Sequence, residues 1–104
     1  MVDLGGVIMS KRDAVIVSAV RTAIARNGGA LATVPAHYYA AEVIKEAIKR
    51  VHIEPEQIED VIMGNVLSGG GNIARLTALK TGLSFQIPGL TIDRQCGSGI
   101  NAIH

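Results

Sequence analysis

Two β-branched apolar runs, set on either side of one amphipathic helical pattern, constrain this chain more than any other feature. The first run, Asp13-Ala14-Val15-Ile16-Val17-Ser18-Ala19-Val20, is almost continuously apolar. Such a run reads as a strand buried on both faces of a helix-covered sheet. Over residues 34–51, Ala36, Ala40, Val43, Ile44, Ala47, Ile48 and Val51 share one helical face, and Glu42, Lys45, Glu46, Lys49 and Arg50 cover the other. Thr33 is placed to cap this helix, and Pro35 falls in the first turn, where its missing N–H costs nothing. Asp60 to Leu67 reads as a second strand. Strand, helix and strand in this order predict a βαβ unit, a parallel pair joined by a right-handed crossover. The fold class is therefore α/β, a mixed sheet with helices on both faces.

Punctuation fills in the rest. Arg21 to Leu31 is a loop, and Asn27-Gly28-Gly29 is its turn signal. Arg21 and Arg26 could pair with an anion, although solvated loop arginines are the simpler reading. Glu46 and Arg50 form a favourable i, i+4 pair, and His52 sits where a helix C-terminus favours positive charge. Glu54 to Ile58 is a turn or short helical turn. Ser68-Gly69-Gly70-Gly71 leads to a helix over Ile73 to Thr81, with Asn72 as its N-cap and Gly82 just past its end. A glycine run before a helix can cradle phosphate with free N–H groups. Here no Gly-Lys-Ser/Thr follows and the dinucleotide glycine spacing is missing, so a tight connection is the better reading. Pro88 precedes a third short strand, Leu90 to Asp93.

That strand runs into Arg94-Gln95-Cys96-Gly97-Ser98-Gly99, which holds the only cysteine of the chain. A thiol at a strand-to-helix turn is well placed for a sulfur nucleophile, because the thiolate is the reactive species and a helix N-terminus favours it. Gly97 and Gly99 permit a sharp turn and a close approach to the backbone. Backbone N–H groups left free in the first helical turn could hold a developing oxyanion beside the sulfur. Against this stands the ordinary fate of a lone cysteine, a small buried hydrophobe. The residues alone leave the two readings level.

At 104 residues the chain holds at most one domain, assigned as an N-terminal extension over 1–12 and the domain over 13–104. Only 18% of residues are charged and the net charge is +1, so no basic stripe offers itself to nucleic acid. One cysteine excludes an internal disulfide framework, and no Cys/His cluster has metal-ligand spacing. Cysteine usage fits a reducing, cytoplasmic compartment. No segment is long enough to span a membrane, and residues 1–10 lack the basic start and apolar core of a signal peptide. Residues 1–8, ahead of Met9, read as an upstream extension. Ile100 to His104 breaks off an apolar helical pattern without a cap, which suggests part of a larger domain.

Thr91-Ile92-Asp93-Arg94-Gln95-Cys96-Gly97-Ser98-Gly99-Ile100-Asn101-Ala102 resembles the nucleophile motif of the thiolases, the acetyl-CoA acyltransferases. Val20-Arg21-Thr22-Ala23-Ile24-Ala25, Gly28-Gly29-Ala30-Leu31, Gly64-Asn65-Val66-Leu67 and Asn72-Ile73-Ala74-Arg75 resemble further family segments, in the family's order. Asp93, Ala23 and Ala25 depart from the usual Asn, Pro and Gly. The resemblance implies a thiolase-like layered fold, present as part of the N-terminal half-domain. It implies that Cys96 takes the acyl group as a thioester and passes it to coenzyme A or acetyl-CoA, with the Cys96 N–H as an oxyanion donor. The implied substrates are coenzyme A and acyl-CoA, with no permanently bound cofactor and no metal. The implied assembly is a homodimer or homotetramer of the full-length family. The implied setting is fatty acid metabolism. An activating histidine and a second acid/base cysteine also belong to the family, and His37, His52 and His104 match neither motif. The resemblance covers about the first quarter of a family member, so this chain alone should not turn over. Three alternatives remain: a ketosynthase-like condensing enzyme, a phosphate- or nucleotide-binding module built on Gly69 to Gly71, and a non-catalytic interaction fragment with an inert Cys96.

Overall fold

The computed structural model describes residues 2–4, 7–9 and 12–104. The expected extension over 1–12 is thus only partly described, since residues 1, 5, 6, 10 and 11 lie outside. Within it, strands β1 (Val2–Leu4) and β2 (Val7–Met9) pair antiparallel, with Asp3 opposite Ile8.

The run from Asp13 to Val20 departs from its expected strand. It carries no regular structure, and Val15, Ile16 and Val17 are 73%, 79% and 67% exposed. A strand exists only beside a neighbour that takes its N–H and C=O groups. No strand among the described residues pairs with this run. Its hydrophobic pattern records a demand for burial without naming the partner.

Helix α1 (Ala36–Val51) forms where the amphipathic pattern places it. Its start differs in detail. Pro35, not Thr33, occupies the capping position, no side chain caps the helix, and the Tyr38 N–H donates to the Pro35 carbonyl at 3.0 Å. The other end closes on His52 in the left-handed conformation (φ 54°), a position usually given to glycine or asparagine. Pro55–Gln57 forms a single 3-10 turn.

The parallel pair also forms, but from a different couple. Strand β3 (Val61–Gly64) pairs parallel with strand β4 (Gly89–Ile92), in the register Val61 to Gly89 and Gly64 to Ile92. Helix α2 (Ile73–Thr81) is the crossover. Both of its ends follow the sequence. The Asn72 side chain accepts the Arg75 N–H, and Gly82 closes the helix at φ 89°.

Strand alternation shows how the helices are layered. Val61 and Gly64 are three residues apart on β3, so they face opposite sides of the sheet. Val61 joins the core formed with Ala74 and Ala78 of α2 and with Leu83 and Ile87; Ile44 and Ile48 of α1 pack against it. Gly64 instead lies against Ser98 at the start of helix α3 (Ser98–Ile103). Helices therefore cover both faces, α2 backed by α1 on one and α3 on the other.

Candidate active site

The turn between β4 and α3 presents Cys96, which is unpaired and exposed. Residues 93–98 fix its shape. The Gln95 N–H donates to Asp93 Oδ1 at 3.0 Å, a bond that the Oδ1 of the family's usual Asn would make equally well. The departure at Asp93 therefore leaves the turn intact. The Gly97 N–H donates to the Arg94 carbonyl (3.0 Å) and the Ser98 N–H to the Gln95 carbonyl (3.1 Å). The Cys96 N–H is a donor in none of these three bonds. Gln95 takes a left-handed backbone (φ 50°), sparsely populated for a residue with a Cβ. One such residue directly ahead of the thiol reverses the chain sharply and lifts Cys96 clear of the sheet.

Two residues without a role at the sequence level hold this turn. Ser98 is 4% exposed, and its hydroxyl accepts the Arg94 N–H (2.9 Å) while donating to the Gln95 carbonyl (2.6 Å). Gly64 lets the end of β3 press against it. A Cβ there would sit 2.6 Å from the Ser98 carbonyl carbon and 2.7 Å from the Gly99 nitrogen. Sequence marked both only as members of motifs. Their partners lie far along the chain or within a bend, and no local pattern encodes either.

A second network ties α2 to β4. Asn72 Oδ1 accepts both the Arg75 N–H (3.1 Å) and the Thr91 hydroxyl (2.6 Å), and Asn72 Nδ2 donates to the Gly89 carbonyl (2.7 Å). Thr91 Oγ1 in turn accepts the Ala74 N–H at 3.0 Å. The Arg75 guanidinium donates to the Ile87 and Phe85 carbonyls. These bonds bear on the phosphate-module alternative. The Ala74 and Arg75 amides, which an anion at the start of α2 would need, are already taken by Thr91 and Asn72. Gly70 and Gly71 adopt positive φ (109° and 74°), so the glycine run serves a tight connection.

No histidine hydrogen-bonds Cys96 among the described residues. His37 stacks edge-on against Tyr38 with ring centres 4.8 Å apart, and His52 closes α1. His104 lines a shallow hollow of about 500 Å³ with Arg94, Gly97, Ile100 and Asn101. No group of three or more His, Cys, Asp or Glu that could hold a metal occurs among the described residues. No helix there is long and apolar enough to cross a membrane. Arg21 is exposed and donates to the Thr22 carbonyl, as a loop arginine does.

Comparison with known proteins bears on what this turn is. The chain is 50% identical over 93 residues to an acetyl-CoA acetyltransferase of Cupriavidus necator, covering 88% of this chain and 24% of that protein. It is 46% identical over 94 residues to an acetyl-CoA acetyltransferase of Escherichia coli, again covering 88% of this chain and 24% of the relative. The chain thus spans about a quarter of the length of the curated relatives it matches. The crystal structure of a Bacillus anthracis acetyl-CoA acetyltransferase superposes with a TM-score of 0.70 at 38% identity, over 74% of this chain and 20% of that one. The family model described as "Thiolase, N-terminal domain" matches residues 14–104, the stretch that carries β3, α2, β4 and the Cys96 turn, and the chain belongs to the thiolase family.

Proposed function

We propose that Cys96 is the acyl acceptor of an acetyl-CoA acyltransferase. The observation that carries the reading is an exposed thiol on a strained, internally hydrogen-bonded turn within a thiolase N-terminal domain. The Cys96 thiolate attacks the carbonyl carbon of an acyl-CoA. The carbonyl oxygen becomes an oxyanion, received by the Cys96 N–H. The intermediate collapses as the bond to the coenzyme A sulfur breaks, and coenzyme A leaves as a thiolate that takes up a proton. The acyl group then rests on Cys96 as a thioester and passes on to coenzyme A or to acetyl-CoA. Covalent catalysis of this kind splits one difficult transfer into two easier ones. Named relatives that are acetyl-CoA acetyltransferases support the substrate class.

The activating histidine and second cysteine that the family resemblance implies have no counterpart in this chain, so the 104-residue chain on its own accepts an acyl group without turning over. A cytoplasmic setting, a role in fatty acid metabolism and homo-oligomeric assembly belong to the same proposal, as does residues 13–104 forming part of the family's N-terminal domain.

The test is incubation with acetyl-CoA at mildly alkaline pH. Peptide mass spectrometry then reads Cys96. One acetyl group on Cys96, absent from Cys96→Ala, is the expected result, and an unmodified Cys96 sinks the reading. Thiolysis of acetoacetyl-CoA by this chain should stay at background, and measurable turnover would contradict the reading that it accepts an acyl group without turning over.

A further inference from the structure

We propose that Ser98 is a positioning residue for Cys96: its buried hydroxyl, bridging the Arg94 N–H and the Gln95 carbonyl across the turn, sets the direction in which the thiol points. The inference rests on Cys96 being the acyl acceptor, but its own readout does not involve acyl transfer.

Cys96 lies between the two residues that one hydroxyl joins and the residue that carries it. Ser98 Oγ spends its single proton on the Gln95 carbonyl at 2.6 Å and a lone pair on the Arg94 N–H at 2.9 Å. Both ends of the turn are therefore fixed by one atom. That atom cannot drift, because the residue is 4% exposed and its backbone lies against Gly64 of β3, where even a Cβ would collide at 2.6 Å. The bridge also holds Gln95 in its left-handed conformation (φ 50°). Without it, Gln95 keeps only its bonds to Asp93 Oδ1 and from the Ser98 N–H, a looser hold that lets the following residue rotate. A reacting atom displaced by about 1 Å can lose on the order of a hundredfold in rate. Ser98 needs no contact with substrate for this. It acts through the backbone on either side of Cys96.

The experiment compares two thiol reagents at one pH on the folded 104-residue chain. Exchange with the aromatic disulfide 5,5′-dithiobis(2-nitrobenzoate) demands an in-line approach of sulfur to sulfur. Alkylation by iodoacetamide is also an in-line displacement, but the small reagent needs far less room around the thiol. In Ser98→Ala, disulfide exchange should fall about tenfold while alkylation stays within about twofold. Ser98→Thr keeps the hydroxyl and should recover most of the exchange rate. Gly64→Ala displaces Ser98 from the β3 side with its hydroxyl intact and should reproduce the split. It serves as the second route if Ser98→Ala does not fold. An unchanged exchange rate in both Ser98→Ala and Gly64→Ala overturns the proposal. So does an equal change in both reagents, which marks a merely structural role. A wild-type chain that takes no acetyl group but shows the split defeats the acyl-acceptor reading alone.

Discussion

Gln95 stores backbone strain directly ahead of the exposed Cys96, and its cost can be measured. A residue with a Cβ in the left-handed region gives up about 1–2 kcal/mol. Glycine avoids that but loses about 0.5–1 kcal/mol to its freedom in the unfolded chain. Gln95→Gly should therefore stabilise by about 0–1.5 kcal/mol in urea denaturation, whereas the β-branched Gln95→Val should destabilise by about 1–2 kcal/mol. Legibility at this scale was uneven. Cys96 announced itself as the sole cysteine, just ahead of Gly97 and Gly99 at the end of a strand. Asn72 was visible as a cap because its Arg75 partner is three residues away. Its bonds to Gly89 and Thr91, like the contact of Gly64 with Ser98, join residues 17 or more apart, and no local propensity encodes them.

Helices were readable because their signals are local, and the strand partners were not. Periodicity and caps gave α2 its observed bounds, Ile73–Thr81. The run from Asp13 to Val20 and the run from Asp60 to Leu67 both carry strand chemistry, yet β3 found its partner in β4. Side-chain pattern says that a strand wants covering, and pairing is settled by which edge is offered within reach. The β4–α2 contact exposes a sharp dependence. A Cβ at Gly89 would run into the Arg75 backbone and the Ala74 carbonyl carbon. Gly89→Ala should therefore destabilise toward the upper end of the roughly 1–3 kcal/mol typical of overpacking, read as a lowered denaturation midpoint at unchanged m-value. On α1, the Arg50 guanidinium hydrogen-bonds Glu46 at 2.9 Å and holds its carboxyl below the usual glutamate range. A folded-state pKa below the unfolded one gives stability that is complete above the unfolded value. It is lost as pH falls through the folded one. Denaturation midpoints measured from pH 7 down to pH 3 should show a small acid-side loss that Glu46→Gln lacks.

The whole molecule is more open than its length requires. Its radius of gyration is 16.6 Å, against about 13 Å for a compact chain of this size. Val15, Ile16 and Val17 contribute to this, and they leave an apolar run in contact with water. Elsewhere, Tyr39, Val43, Ile44, Val61, Ile62 and Met63 line an open groove of about 480 Å³ between α1 and β3. Exposed β-branched runs of this kind favour association between copies. Replacing Val15, Ile16 and Val17 together with threonine should shift sedimentation toward the monomer and leave the melting temperature within a few degrees. A large loss of melting temperature would show that the run is packed in solution. The rest of the fold is of another kind. β3, α2, β4 and α3 follow one another without interruption from Val61 to Ile103, and every tie on the Cys96 turn is made inside that stretch. Closures over short spans of chain are fast, and a nascent chain folds from its N-terminal side as it emerges. On the ribosome, then, the turn that exposes Cys96 can be completed as soon as α3 has emerged, without any contribution from the apolar run that precedes α1.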